Sequence, residues 1–439
     1  MRPLLLAVLL SIIPTLAHAQ EGAPEVWLLT VDRWGNAEHQ MLSLERRGSV
    51  IEGRLGGWPL AGRADGDSIT FVATDSREMA YRYSGMVGAS VLTGVADFPD
   101  INDSQKRVRH AFTGRRIPAR PDGAPRRHRF EPATFSNEFT AAREPVLVIW
   151  PGDTVSTRTL DSGGADQHGT TRAMYGNPQT GPFFIATAQP GDVLAIHIRR
   201  LRLNRDHAES LDGIVGRAMG PGLASRAAGL GQRVRWRLDR ERRVASLENA
   251  PEPLKGFTVP LRPMLGGIGV APDFGFAAAS AGDSGRFGGN MDYNEIVEGA
   301  TVYLPVFRPG ALLFLGDGHA AQGDGETTQW ALETSLDVEF TVDVLPARPL
   351  ATPRVETATH IMAVGQAGSL DDAVRSATAG MAQWLEQDYG LSLREASLVL
   401  GTLVDYEIVT LAGRNAGVAA KLEKASLAGL PARTRDGVR

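Results

Sequence analysis

Apolar and polar residues alternate in short bursts along most of the chain, a period that predicts strands rather than helices. Val26-Trp-Leu-Leu-Thr-Val-Asp32 opens the first, and Trp34-Gly-Asn36 supplies a turn. Similar pieces follow at about ten-residue spacing: Met41–Leu44, Val50–Leu55, Ser68–Val72, Tyr81–Tyr83 and Val91–Gly94. Gly53, Gly57, Gly62 and Gly66 read as tight hairpins between them. The stretch 21–115 is therefore expected to form a small β domain, as a meander, sandwich or barrel. A basic, proline-bearing segment follows, and 116–132 reads as a linker.

From 133 onward the strands are more apolar. Pro145–Trp150, Val155–Leu160, Gly181–Ile185, Val193–Ile198, Thr301–Phe307, Ala311–Leu315 and Val338–Val344 read as buried strands. Pro-Gly-Asp precedes two of them as a turn device. The irregular stretch 204–230 reads as a long loop or a lid, and Phe257–Pro272 as an extended segment that excludes a helix. After Ser369 the period changes. Leu370, Val374, Ala377, Met381, Trp384 and Leu385 keep helical spacing, with Asp372 placed to cap and Gly390 to terminate. Ser392 and Glu395 form a second capping box, opening a helix to about Leu400. Tyr406–Thr410 returns to strand, and 430–439 is a polar tail expected to be disordered.

Composition adds three constraints. The chain has 439 residues, 43% of them hydrophobic and 22% charged, enough for more than one core. A formal net charge of −4 argues against a nucleic-acid binder. Arg2, the apolar run Leu4–Ile13 and Ala17-His-Ala19 match a signal peptide over 1–19, so a periplasmic or secreted protein is expected. No later run is apolar enough to span a membrane. With no cysteine, disulfides, thiol nucleophiles and thiolate metal sites are excluded.

Candidate chemistry concentrates in the forty residues 287–326. Phe287-Gly-Gly-Asn-Met-Asp292 and Gly316-Asp-Gly-His-Ala-Ala-Gln-Gly-Asp-Gly-Glu326 place Asn290, Asp292, Asp317, His319, Gln322, Asp324 and Glu326 on glycine-rich loops at strand ends. Such loops are where sites are often built. They are equally the composition of polar β-turns, and spacing leaves both readings open.

These two motifs, with Pro151-Gly-Asp-Thr-Val, Thr180-Gly-Pro-Phe, Pro190-Gly-Asp-Val-Leu, Pro260-Leu-Arg-Pro, Ile268-Gly-Val-Ala-Pro272 and Leu304-Pro-Val-Phe-Arg-Pro-Gly-Ala311, resemble the acetamidase/formamidase family in order and spacing over roughly 135–412. The resemblance implies a mainly β, sandwich- or barrel-like fold over 133–412 with C-terminal helices. It also implies hydrolysis of short-chain amides to carboxylate and ammonia, a divalent metal, and assembly as homo-oligomers. The 21–115 domain and the signal peptide are additions to the usual family pattern.

Amide hydrolysis needs an activated water, a polariser for the carbonyl oxygen and an acid for the leaving nitrogen. No Gly-x-Ser-x-Gly elbow, Ser-Ser-Lys setting or His-Glu-x-x-His helix is present. Water activated by metal, carboxylate or both remains. His319, Asp292 and Asp161 are the expected ligands of Zn²⁺, with Ca²⁺ or Mg²⁺ as oxygen-preferring alternatives. Asp317 is a further ligand or an orienting group. Glu326 is the expected general base. Gln322 and Asp324 would orient neighbours, and Asn290 with the Gly323 and Gly325 amides would donate to the oxyanion. The plain alternatives are a structural role for His319 and a turn cap for Asp161. A different class of function, a non-catalytic envelope protein binding a ligand or metal through an inherited site, fits the same residues, as does the same machinery with a larger amide gripped by the added domain.

Overall fold

The computed structural model describes residues 24–103, 105–118 and 123–431. The signal peptide read over 1–19 and all but the first two residues of the 430–439 tail lie outside the described residues.

Eight antiparallel strands follow one another as a meander and close into a barrel: Glu25–Arg33, Asn36–Arg47, Val50–Leu55, Trp58–Asp65, Ser68–Thr74, Ala80–Val87, Val91–Pro99 and Arg107–Ile117. The seam pairs the last strand with the first, from Val26 opposite Ile117 to Val31 opposite Phe112. Closure leaves no free edge for a foreign strand. Burial alternates along the strands, strictly so over Ser68–Val72, and the inward set, including Trp27, Leu42, Phe71, Tyr83 and Phe112, packs into one core. The Trp34–Gly35 loop has φ of 55° and 86°, the doubly positive geometry that suits a two-residue hairpin. Gly57 and Gly66 also fall between strands, but Gly53 and Gly62 do not. They lie inside strands, where a Cβ on Gly62 would stand 2.1 Å from the Thr70 carbonyl oxygen. That glycine serves close strand approach rather than a turn.

The larger body holds an eleven-stranded and a nine-stranded sheet. Phe183, Ile268 and Phe314 of the first sheet and Ile196, Leu304 and Phe340 of the second belong to one buried cluster, so the two sheets share a core. Burying each such side chain is worth about 1.5–3 kcal/mol. Met264–Val270 and Leu313–His319 are buried at every position, as expected of strands covered on both faces. The stretch read as a linker is divided between the two bodies. Ile117 closes the barrel, and Arg127–Arg129 pairs in parallel with Thr154–Arg158 at the edge of the nine-stranded sheet. Leu28, Met41 and Ile117 join the larger body's cluster, docking the barrel onto it. Within 204–230, read as irregular, His207–Leu211 is a strand of the eleven-stranded sheet.

The C-terminal helices form where the period changes. Ser369 Oγ accepts the Asp372 amide at 3.2 Å, and Gly390 ends the helix Leu370–Tyr389 at φ 70°. Its buried face, Ala377, Met381, Trp384 and Leu385, packs with Ile361, Ala363, Ala420 and Leu422 of the nine-stranded sheet. The Ser392–Glu395 capping box is complete and starts the helix Leu393–Leu403. The fold is mainly β with a few C-terminal helices.

Candidate active site

The strand Leu313–His319 carries Asp317 and His319 two residues apart, so both side chains leave the same face. Across the ladder His319 is paired with Glu333 of the short strand Glu333–Thr334. On the other side, Met264–Val270 separates this strand from Gly288–Asn290, which ends two residues before Asp292. The loop after His319 brings back Glu326. All five side chains are buried. Two overlapping triads, Asp292–Asp317–His319 and His319–Glu326–Glu333, each have their donor atoms within 4.8 Å of one another.

Backbone geometry shows that the cluster is built against local preference. Asp292, Asp317 and Glu326 have φ of 46°, 56° and 38°, a region that costs an L-residue of order 1–3 kcal/mol each and persists only when the surroundings impose it. Gly266 makes the space. A Cβ there would stand 2.7 Å from both Asp292 Oδ1 and Asp317 Oδ2. On a reading of the cluster as a divalent-cation site, Gly266→Ala is expected to weaken that binding roughly ten- to hundred-fold. Calorimetric titration of metal-stripped protein with unchanged circular dichroism checks this, and unaltered affinity refutes it.

Hydrogen bonds orient the clustered groups. Gln322 Nε2 donates to the Asp292 carbonyl at 2.7 Å, which leaves Gln322 Oε1 facing His319 Nδ1 at 2.8 Å. Nδ1 then carries a proton, and Nε2, the other ring nitrogen, faces the carboxylates. That Nε2 lies 3.3 Å from Glu333 Oε1 and 3.6 Å from Asp317 Oδ1. Asn177 Nδ2 donates to Asn290 Oδ1 at 2.6 Å and to Asp317 Oδ2 at 3.0 Å, and Asn290 Nδ2 donates to Asp292 Oδ2 at 2.5 Å.

Four carboxylates around one imidazole in a dry site cannot all ionise without added positive charge. Burial pushes Asp292 well above the usual carboxylate range, and the neighbouring Glu326 and Asp317 charges push further. Burial likewise pushes Glu326 up to about 8, with His319 pulling the other way, and it raises Glu333. For His319 burial acts downward, but the Glu333 and Asp317 carboxylates win and hold it well above the ordinary imidazole value. Asp292 Oδ1, Asp317 Oδ1, His319 Nε2 and Glu333 Oε2 are buried without a hydrogen-bond partner. Buried acceptors are seldom left so. An oxygen-rich donor set with one imidazole, excess negative charge and orphaned acceptors fits a divalent cation.

The residues expected from the sequence thus divide. Asp292, Asp317, His319 and Glu326 come together, and Gln322 orients two of them. Asn290 is a link between Asn177 and Asp292. Asp161 stands outside both triads. Its Oδ1 accepts the Ala165 amide of its own turn and its Oδ2 the Arg205 guanidinium, each at 2.7 Å, so its charge is already matched by a buried guanidinium. Asp324 is exposed and accepts from Asn294 at 2.7 Å. Glu333 and Asn177 were not among the expected residues. A lone carboxylate next to Ala331-Leu332 signals Glu333, whereas nothing near Asn177 in the sequence points to the site.

The model of the Acetamidase/Formamidase family matches residues 277–349, the segment that contains all five clustered residues. A Schizosaccharomyces pombe protein described as a candidate formamidase is 54% identical over 39 residues, covering 9% of this chain and 10% of that protein. The crystal structure of a predicted acetamidase/formamidase from Thermoanaerobacter tengcongensis superposes with a TM-score of 0.59 and 27% identity, over 69% of this chain and 98% of the other. An acetamidase from Yersinia enterocolitica gives 0.60 and 29%, over 69% and 94%. The site-bearing segment is thus similar to the Acetamidase/Formamidase family, and the fold over 69% of the chain is similar to these solved acetamidase structures.

Proposed function

We propose that this protein is an exported, metal-assisted amidohydrolase that cleaves the C–N bond of small linear amides, of the formamide and acetamide type, to carboxylate and ammonia. The observation that carries the reading is the buried five-residue cluster, with orphaned acceptors on four of its members. Its place inside the family-matched segment supports amide chemistry, and the signal-peptide pattern over 1–19 supports export to the periplasm or beyond. Assembly as homo-oligomers belongs to the same reading.

Asp292, Asp317, His319 and Glu333 would hold the ion, Zn²⁺ being favoured over Ca²⁺ or Mg²⁺ by the single imidazole. When bound, such an ion supplies positive charge that polarises a carbonyl and acidifies water. Glu326 borders a cavity of about 610 Å³ that the other four do not line. It is therefore placed to take a proton from the attacking water as the oxygen bonds to the carbonyl carbon. It returns that proton to nitrogen as the C–N bond breaks, releasing ammonia and leaving the carboxylic acid, whose remaining proton passes to ammonia or solvent to give the carboxylate. A base buried to about 8 holds either form near neutral pH, as both half-steps require. Thr410 Oγ1 donates to Glu326 Oε2 at 3.1 Å and fixes its orientation. Gln322 holds the imidazole.

The direct test is ammonia release from formamide and acetamide by the purified full-length protein. Turnover is expected, lost on chelation and restored by one of Zn²⁺, Ca²⁺ or Mg²⁺. Absence of turnover on any small amide by metal-replete protein would sink the proposal.

A further inference from the structure

Acetamide would occupy a small part of the cavity beside Glu326. The cavity is a groove of about 610 Å³ between the strand around Val234–Trp236 and the loop that runs from Ala321 to Leu332. That is the size range of sites for whole small ligands. Its walls are mostly apolar: Val234, Trp236, Leu254, Phe257, Val259 and Trp330. Gln322 and Glu326 stand in the same lining, so the apolar groove and the reactive end are continuous.

Two features narrow what the groove would take. Phe257 and Leu254, 48% and 42% exposed, leave an apolar rim at the groove's mouth. The charged groups in the lining other than Glu326 are already satisfied. Asp212 Oδ1 accepts the Gly231 and Gln232 amides at 2.6 and 2.7 Å, and Arg262 Nη2 donates to Glu295 at 2.6 Å. Both already hold partners within the chain. Trp236 is fixed by its Nε1 donating to Ser210 Oγ at 2.9 Å and meets Phe257 edge-on, with ring centroids 6.4 Å apart. No barrel residue appears in the lining, so the barrel does not grip the substrate here.

We infer that the preferred substrate is a primary amide carrying a neutral apolar arm, aryl or branched alkyl, which lies in the Trp236–Phe257–Trp330 groove while the carboxamide faces Glu326. This rests on the amide-hydrolase reading and specifies its substrate. A single methylene in an apolar pocket is worth roughly 10- to 200-fold in kcat/KM, so a whole arm should dominate selectivity.

The test is steady-state hydrolysis of acetamide, hexanamide and phenylacetamide by the metal-replete full chain. Phenylacetamide is expected to exceed acetamide by on the order of 100-fold in kcat/KM. Phe257→Ala, at a half-exposed position, should lower the ratio of the two kcat/KM values about tenfold while leaving the circular dichroism unchanged. Acetamide turned over as well as phenylacetamide overturns the inference and leaves amide hydrolysis standing. If a second copy of the chain fills the groove instead, the ratio is unchanged by Phe257→Ala while an oligomer dissociates on size exclusion, which also overturns it. Turnover of none of the three overturns both readings.

Discussion

Asp292→Ala and His319→Ala are each expected to lower kcat/KM on acetamide by at least about 10³-fold, about 4 kcal/mol of transition-state stabilisation. Each removes a donor shared by the cluster, and neither position has a neighbour able to move in, because Asp292 and Asp317 are held at positive φ and His319 is buried. Stability should move in an unusual direction. In metal-free protein, Asp292 is a buried carboxyl beside Glu326, Asp317 and Glu333, so its loss relieves repulsion. The metal-free Asp292→Ala variant should melt no lower than metal-free wild type. Saturating metal should raise the wild-type melting temperature, by about 4 kcal/mol of stability at a thousand-fold excess over Kd. The variant should lose this rise. A variant that keeps both turnover and the metal-dependent rise would remove Asp292 from the site. A wild type that binds metal but turns over no amide would establish the binding-protein alternative.

Glu326→Gln should separate proton transfer from metal holding. The side chain keeps its size and an oxygen able to accept from Thr410 Oγ1, but it cannot accept the proton of the attacking water. A fall in kcat of roughly 10²–10⁴-fold is expected, with KM little changed. In the wild type, turnover requires Glu326 deprotonated at the first half-step, so activity rises with pH through its pKa. Burial sets that value at about 8, and a cation in the cluster lowers it, as His319 does. The acid limb should therefore lie at or below about 8 and vanish in the Gln variant. Retention of that limb in Glu326→Gln would assign the base to another group. Metal titration of the variant checks that the ion is still held.

Much of this site is visible in the sequence because four of its five members fall within Asp292–Glu326, on the glycine-rich turns where polar side chains meet strand ends. Asp161 shows where spacing fails. It ends a strand-like run and has the right chemistry, but Arg205 lies 44 residues away in sequence and reaches it at 2.7 Å. A carboxylate already matched by a buried guanidinium has no charge left to attract a cation. The hairpin reading of the glycines fails at Gly53 and Gly62 for a similar reason. A glycine needed for positive φ and one needed for close strand approach look alike until the partner strand is present.

The chain's own order of residues determines its elements. The short alternating strands, the doubly positive Trp34–Gly35 turn, the two serine caps and the Gly390 stop follow from local sterics and hydrogen bonding, which act over a few residues. It also rules out thiol chemistry, since the chain has no cysteine. Tertiary structure alone decides which carboxylates meet. Glu333 joins His319 through cross-strand register, Asn177 reaches Asp317 from 140 residues away, and Gly266 clears the space between Asp292 and Asp317. Register, long-range hydrogen bonds and excluded volume depend on which surfaces pack together, and those energies exist only once both sheets have closed on their shared core.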